Sequence, residues 1–214
     1  MKYLIVSLVS YLLGSIPFSY IVVKLARGID VRSLGSGNAG TLNTWRVTRN
    51  PLLTLIVLIG DVGKGALSIL FARYFGGDAF SEFLAAFFAV SGHNWPVWLN
   101  FRGGRGLATM YGAYLVSSPY ALLATIVIWA ITYLLTGYVI LGGIIAIPVI
   151  VGAFYYLGYI PPAVLGAAFP AMLGLAPKWT RIMEGKEPKH FWTLKGEGSA
   201  RETKGKVRKT KKKV

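Results

Sequence analysis

The sequence contains little of the chemistry that enzymes most often use. Its 214 residues include no cysteine, eight Asp or Glu residues and two histidines. The lack of cysteine excludes disulfide bonds, a thiol nucleophile and thiolate metal sites. The acids and histidines form no His-Glu-x-x-His motif, and no Gly-x-Ser-x-Gly elbow is present. We therefore expect no metal ion and no cofactor, and chemistry that relies on hydrogen bonds and fixed positive charge.

Apolar runs dominate the chain instead. Hydrophobic residues make up 54% of it, and the mean hydropathy is +0.55. A helix needs about 20 apolar residues to cross a bilayer. We predict an all-α, polytopic membrane protein with about seven transmembrane helices in one domain, residues 1–190. The crossings are expected near residues 4–23, 52–75, 80–99, 107–117, 120–136, 139–157 and 161–176. The fourth run is short, so it is either tilted or partly re-entrant.

The basic residues predict how the chain is oriented. Lys and Arg cluster in residues 24–49, in residues 99–106 and in the C-terminal tail, while the connections near Gly77, Ser118 and Gly158 contain few. The positive-inside rule places the basic segments in the cytoplasm and the N-terminus outside, in a multi-pass protein of the inner (cytoplasmic) membrane. A signal peptide is the alternative for the first run. Its hydrophobicity continues to Val23 without an Ala-x-Ala cleavage site, which favours an uncleaved helix.

The C-terminal tail has a composition of its own. Residues 201–214 contain eight Lys or Arg and one Glu, so they hold +7 of the formal net charge of +15 and leave +8 for the rest. Such a segment cannot bury enough apolar surface to fold. We predict that residues 191–214 are a basic, disordered cytoplasmic tail that acts as an orientation signal or binds anionic lipid. Nucleic acid is not an expected partner, because no aromatic residue interrupts the last fourteen positions.

Two glycine-rich loops carry the strongest functional signal. They read Gly35-Ser36-Gly37-Asn38-Ala39-Gly40 and Gly103-Gly104-Arg105-Gly106. Glycine lets backbone N–H groups approach an oxyanion closely, and a neighbouring Arg adds charge. Just after the first loop, Asn43 offers an amide and Arg46 a guanidinium that can hold two phosphate oxygens. The two loops therefore predict phosphate binding at the cytoplasmic side of a membrane.

Three of the ionisable residues within the apolar segments, Asp61, Lys64 and His93, are candidates for function. Asp61 and Lys64 are three residues apart, so on a helix they share a face and can pair. Charge within a membrane is functional by default, although a structural ion pair is the equal alternative. His93 precedes the second loop, where its imidazole could accept a proton or contact a phosphate, or could be purely structural.

Read together and in order, these motifs resemble the acyl-phosphate-dependent glycerol-3-phosphate acyltransferases of bacterial membranes. The similar segments are Gly14-Ser15-Ile16-Pro17, the first loop with Asn43 and Arg46, Asp61-x-x-Lys64-Gly65, Gly92-His93-x-x-Pro96, and Phe101-x-Gly103-Gly104-x-Gly106-x-Ala108-Thr109. Arg105 stands where the family usually has Lys. In a third segment, Arg181, Gly185 and Glu187 match, whereas Lys178 replaces an Asn and no His stands shortly before it.

The resemblance implies transfer of an acyl group from acyl phosphate to glycerol 3-phosphate. The products would be 1-acyl-glycerol 3-phosphate (lysophosphatidate) and phosphate, in the first step of phospholipid synthesis. Membrane lipids and an upstream acyl-phosphate-forming enzyme are the other implied partners. The expected catalytic residues are Ser36, Arg46, His93 and Arg105, and the expected substrate-binding residues are Gly35, Gly37, Asn38, Gly40, Asn43, Lys64, Gly103, Gly104, Gly106, Thr109 and Arg181.

Two other functions fit part of the sequence. A transporter of an organic phosphate would also need an intramembrane cation and glycine breaks, but its sites usually lie at the midplane of inverted repeats. Here the two glycine loops do not match each other, and the polar motifs collect on one face. A non-catalytic, lipid-binding family member is the other alternative, suggested by the altered third segment and the basic tail.

Overall fold

The structure is a computed structural model that describes residues 1–185. The predicted tail, residues 191–214, and Glu187 therefore lie outside the described residues. Within residues 1–185 the chain forms nine α-helices joined by short turns and by two longer loops, residues 28–40 and 95–106, so the all-α class is confirmed there. The helices are α1 (Lys2–Ser15), α2 (Phe18–Arg27), α3 (Thr41–Thr48), α4 (Pro51–Phe71, extended by one π turn to Gly76), α5 (Ala79–Asn94), α6 (Leu107–Ser117), α7 (Pro119–Thr136), α8 (Val139–Tyr156) and α9 (Pro162–Met183).

Four helical segments in this part of the chain are long and apolar enough to cross a membrane. They are Lys2–Arg27, Pro51–Gly76, Pro119–Thr136 and Val139–Tyr156. The other three predicted crossings correspond to α5, α6 and α9. Helix α6 has 11 residues, which at about 1.5 Å per residue spans roughly half of a hydrocarbon core. The count of seven crossings therefore stays a prediction.

The first predicted crossing is divided into two helices. Helix α1 ends at Ser15, Ile16 is extended (φ −60°, ψ 113°), and α2 starts after Pro17. Proline has no N–H and disfavours a helical conformation in the residue before it. The break frees the Ile16 carbonyl, which accepts a hydrogen bond from Lys64 Nζ at 3.0 Å.

Helices α4 and α6 are in backbone contact. A Cβ atom at Gly65 would overlap the Thr109 carbonyl oxygen, and one at Gly112 would overlap the Val62 carbonyl oxygen. Small residues allow such close approach of membrane helices. Thr109 is fully buried in this seam. The contact holds the start of α6, and the glycine loop before it, against the part of α4 that carries Asp61.

Helix α5 packs between α1 and α9 through small residues. A Cβ at Gly14 would overlap the Ala89 carbonyl, and one at Gly166 would overlap the Phe83 carbonyl. Ala85, Ala86 and Ala89 of α5 are fully buried in this layer. The packing fixes the C-terminal end of α5, where His93 and Asn94 meet the second glycine loop.

Candidate functional site

A cavity of about 730 Å³ lies between the two glycine loops and helices α3, α4, α6, α7 and α8. Polar and basic side chains from the glycine loops and α3 contribute to its wall, and most of the remaining lining is apolar. The polar lining residues include Ser36, Asn38, Thr41, Asn43, Arg46, Asp61, His93 and Arg105; the apolar ones include Leu42, Leu55, Leu58, Leu107, Ile126, Trp129, Val139, Ile140 and Leu175. A cavity lined by both cationic and apolar side chains suits a molecule with an anionic head and a hydrocarbon chain.

Asn43 organises the first glycine loop. Its buried side chain lies in the first turn of α3, and its Oδ1 accepts a hydrogen bond from Ser36 N at 2.7 Å. Its Nδ2 donates to the carbonyls of Val31 (2.8 Å), Leu34 (3.1 Å) and Asn38 (2.9 Å). Asn43 therefore shapes the loop from inside as well as lining the cavity.

The glycines of this loop supply backbone shape. Gly35 and Gly37 have φ angles of +62° and +76°, which L side chains rarely adopt. A Cβ at Gly35 would also overlap Asn43 Oδ1. Gly40 lies on the cavity wall at the N-cap of α3, whereas Gly35 and Gly37 are not among the described lining residues.

The second glycine loop is attached to the end of α5. Gly103 N donates to the Asn94 carbonyl at 3.1 Å, and Gly104 N donates to the His93 carbonyl at 2.9 Å. The Gly103 carbonyl accepts from Ala39 N at 3.2 Å, which joins the two glycine loops. Gly103 and Gly104 thus hold the loop in place, and neither is among the described lining residues. Gly106 does line the cavity and is the N-cap of α6, with φ +79°.

Asn38 of the first glycine loop and Arg105 of the second are hydrogen-bonded to each other at the cavity wall. With its amide oriented as the surrounding donors require, Asn38 Oδ1 accepts hydrogen bonds from Arg105 Nε (2.7 Å) and Nη2 (3.0 Å). Arg46 reaches the same cavity from α3. Among the described lining residues the carboxylate is Asp61, which is already paired with Lys64. The described lining therefore has an excess of positive charge and suits an anion.

Asp61, Lys64 and His93 form one buried cluster. The Lys64 Nζ lies 2.8 Å from Asp61 Oδ1, so the predicted pair is present, and His93 Nδ1 lies 3.4 Å from the same oxygen. All three side chains are at most 5% exposed. Asp61 and His93 also line the cavity, whereas Lys64 is not among the described lining residues. The pair thus connects helix packing to the cavity wall.

Most of the polar side chains predicted for the site meet at this cavity. All four expected catalytic residues line it, as do Asn38, Gly40, Asn43 and Gly106 of the expected substrate-binding set. Thr109 lies instead in the α4–α6 seam, and Arg181 is exposed near the end of α9. Neither is among the described lining residues.

Some lining residues were not in the predicted set. Asp61 could have been included because an intramembrane carboxylate is itself a functional signal. Thr41 follows the first glycine loop directly, so its position was also a signal. Tyr111, Trp129 and Leu175 lie in ordinary apolar helical patterns, and no sequence signal marks them as cavity residues.

Replacing Asn43 by alanine is expected to cost both activity and stability. The change removes the acceptor of Ser36 N and the donor to three carbonyls. Each buried polar group left unpaired costs about 1–3 kcal/mol. We expect a loss of more than about tenfold in kcat/KM, because a displaced loop misplaces its ligands, and a lower melting temperature in detergent.

Asn50→Ala is the matched control for Asn43→Ala. Asn50 caps α4 through a hydrogen bond from Leu53 N at 3.1 Å and is not a described lining residue. It should lose about 1 kcal/mol of stability with kcat/KM near wild type. Equal activity in the two variants would show that Asn43 does not organise the site.

Comparison with known proteins places the chain in a family. A family model for glycerol-3-phosphate acyltransferase matches residues 4–184. Glycerol-3-phosphate acyltransferase 2 of Moorella thermoacetica is 38% identical over 190 residues, which cover 87% of this chain and 97% of the relative. The glycerol-3-phosphate acyltransferase of Brucella anthropi is 41% identical over 181 residues, which cover 84% and 89%.

Solved structures agree with the sequence relatives. The crystal structure of PlsY (YgiH), an integral membrane glycerol 3-phosphate acyltransferase, in its glycerol 3-phosphate form has a TM-score of 0.79 at 30% identity, covering 88% of this chain and 96% of that one. Its lysophosphatidic acid form has a TM-score of 0.77. The chain is therefore an integral, multi-pass membrane protein and belongs to the glycerol-3-phosphate acyltransferase family.

Proposed function

We propose that this protein transfers an acyl group from acyl phosphate to glycerol 3-phosphate and releases lysophosphatidate and phosphate. The observation that carries the proposal is the cavity, whose lining combines cationic side chains with many apolar ones. Acyl phosphate needs the cationic side chains for its phosphate and the apolar lining for its acyl chain, whereas glycerol 3-phosphate needs the cationic side chains alone. Family membership and the glycerol 3-phosphate and lysophosphatidic acid forms of PlsY support this choice of substrates.

The reaction needs positioning more than it needs a strong base. Acyl phosphate is a mixed anhydride whose leaving group is already a stable phosphate, so no covalent enzyme intermediate is required. The acceptor hydroxyl oxygen attacks the acyl carbon, the bond from that carbon to the phosphate oxygen breaks, and the hydroxyl proton passes to the donor phosphate or to His93. Fixed hydrogen-bond donors and cations can supply most of such a rate enhancement.

Four side chains are placed to hold the two phosphates. Ser36, Asn38 and Arg105 come from the glycine loops, and Arg46 comes from α3, and all four line one cavity. Because the Asn38 amide already fixes the Arg105 guanidinium, that guanidinium is held in one orientation before substrate binds. A pre-oriented guanidinium can contact two phosphate oxygens at once with little loss of side-chain entropy.

The apolar lining suits the acyl chain. It includes Leu55 and Leu58 of α4 and Ile126 and Trp129 of α7. Leu55 and Ile126 are 50% and 42% exposed, so both helices also present apolar surface to the lipid. Each methylene moved from water into such a wall contributes about 0.8 kcal/mol. Acyl phosphate would enter sideways from the bilayer, supplied by an acyl-phosphate-forming enzyme.

The proposed active site faces the cytoplasm of a seven-crossing protein. The basic segments that carry Arg46 and Arg105 lie around the cavity. Exposed tyrosines lie near the opposite connections: Tyr74, Tyr120, Tyr155, Tyr156 and Tyr159 are 65% to 92% exposed. Aromatic residues favour membrane interfaces and Lys and Arg favour the cytoplasmic side, which supports an external N-terminus.

The proposal is tested with the purified full-length protein in lipid. Phosphate release and lysophosphatidate formation are measured from acyl phosphate, with and without glycerol 3-phosphate. We expect release that depends on the acceptor, with one lysophosphatidate formed per phosphate. Folded protein that forms no lysophosphatidate would contradict the proposal, and counterflow of glycerol 3-phosphate in proteoliposomes without acyl donor would assign it to transport instead.

A further inference from the structure

We infer that Asp61 is a positioning residue of this site, which acts through His93 on the second glycine loop and its Arg105. The inference rests on the proposed function, because it assigns the way in which the phosphate-binding loop is held. The contacts run from the break between α1 and α2, through the Asp61–Lys64 pair, to the loop.

The first step is the fixed position of Asp61. Lys64 Nζ contacts Asp61 Oδ1 at 2.8 Å and donates to the Ile16 carbonyl at 3.0 Å. A lysine held by two acceptors cannot move without losing one of them. Asp61 and Lys64 are three residues apart on one helix, so their side chains share a face. Lys64 therefore holds the Asp61 carboxylate in a fixed position relative to the break between α1 and α2.

The second step joins Asp61 to His93. His93 Nδ1 lies 3.4 Å from Asp61 Oδ1, and Asp61 Oδ2 has no hydrogen-bond partner among the described residues. The torsion about Cβ–Cγ of Asp61 is soft, so a small rotation of the carboxylate lets one oxygen accept from Lys64 and the other accept from His93. A carboxylate at Nδ1 fixes the proton there and sets the plane of the imidazole ring.

The third step joins His93 to the loop on two sides. Its carbonyl accepts from Gly104 N at 2.9 Å, and its Nε2 occupies the position that a Gly104 side chain would take. The imidazole thus packs directly against the Gly104 backbone, one residue before Arg105. If the ring were free to rotate, the Gly104 backbone would lose this packing contact. The backbone position of Arg105, the next residue, would then no longer be fixed.

The ion pair could instead serve helix packing alone, and the two roles predict different results. Replacing a buried ion pair by apolar side chains of similar size is often neutral for stability. If Asp61 only pairs with Lys64, the double variant Asp61→Leu/Lys64→Met would keep wild-type activity. If Asp61 positions His93, the same double variant would fold and yet be impaired.

The test is a double-mutant cycle in the full-length protein with Lys64 kept, because Lys64 is part of what fixes Asp61. Asp61→Asn keeps a side-chain oxygen that can accept a hydrogen bond from Lys64. Asp61→Asn, His93→Gln and their combination are compared for lysophosphatidate formation and for glycerol 3-phosphate binding by calorimetry. We expect each single change to cost about 10–100-fold, as for partners that orient a functional group. The combination should cost no more than His93→Gln alone, because Asp61 acts through His93.

Additive losses would overturn the inference, and so would full activity of Asp61→Leu/Lys64→Met. Binding of glycerol 3-phosphate is measured without turnover, so it separates the two proposals. Wild-type protein that binds glycerol 3-phosphate with the expected coupling but makes no lysophosphatidate would contradict the proposed reaction and support the role of Asp61. Lysophosphatidate formation without coupling would do the reverse.

Discussion

Replacing Arg105 by alanine is expected to lower kcat/KM for lysophosphatidate formation by about 10²–10³-fold, the usual loss when one fixed donor to a developing negative charge is removed. Arg105 lines the cavity, and Asn38 holds its guanidinium at 2.7 Å and 3.0 Å. The change removes a cation from the cavity lining, where the two phosphates would bind. The apolar lining is untouched, so binding of the acyl chain should persist. Steady-state kinetics with both substrates measures the loss.

Two companion variants show whether position or charge matters. Arg102→Ala removes an exposed arginine three residues earlier, outside the described cavity lining, and should keep wild-type kcat/KM. Arg105→Lys keeps the charge but loses the planar two-point contact, so an intermediate value is expected. Equal activities of Arg102→Ala and Arg105→Ala would remove Arg105 from the site.

Replacing Gly104 by alanine is expected to cost about 10²-fold or more in kcat/KM with a smaller effect on stability. The new Cβ would overlap His93 Nε2, so either the imidazole or the loop must move. The imidazole is confined by Asp61, and the loop is held by the hydrogen bond from Gly104 N to the His93 carbonyl at 2.9 Å. A displacement of about 1 Å at a group that positions substrate can cost about 10²-fold.

Gly63→Ala is the matched control for this change. Gly63 lies in α4, and a Cβ there would meet nothing within 4 Å. Alanine in a helix interior is more favourable than glycine by up to about 1 kcal/mol, so this variant should be slightly more stable and fully active. Gly104→Ala with wild-type kcat/KM would mean that the second glycine loop can shift without consequence, and would contradict the site as described.

Local patterns accounted for most of the site's polar side chains. The two glycine loops could be recognised in the sequence because glycine beside Asn, Ser and Arg is the pattern expected of a phosphate-binding loop. The pairing of Asp61 with Lys64 followed from their spacing on a helix. Pro17 could have predicted the break between α1 and α2, because proline ends or kinks a helix. The prediction of one continuous crossing over residues 4–23 did not use this signal. Helix α3 lies within the basic segment of residues 24–49, and it begins after Gly40, an extended N-cap just before a short amphipathic run.

Contacts between distant segments could not be predicted in this way. Asn43 was expected to bind substrate, and its position inside the loop depends on carbonyls of Val31 and Leu34 that only the folded chain brings together. Thr109 matched a motif and yet lies in the α4–α6 seam, because the glycines at 65 and 112 let the two backbones touch. Helical spacing gives the face of a residue, but not the neighbour that the face meets.

The sequence alone determined the helical membrane class and the glycine-rich, basic character of the two loops. Both depend on composition and on backbone freedom, which are local properties of the chain. Tertiary structure alone decided that the loops join at Ala39 and Gly103, that Lys64 contacts the Ile16 carbonyl, and that His93 packs against Gly104. These contacts join residues on different helices or loops, so they form only when packing of the helices offsets the entropy of ordering them.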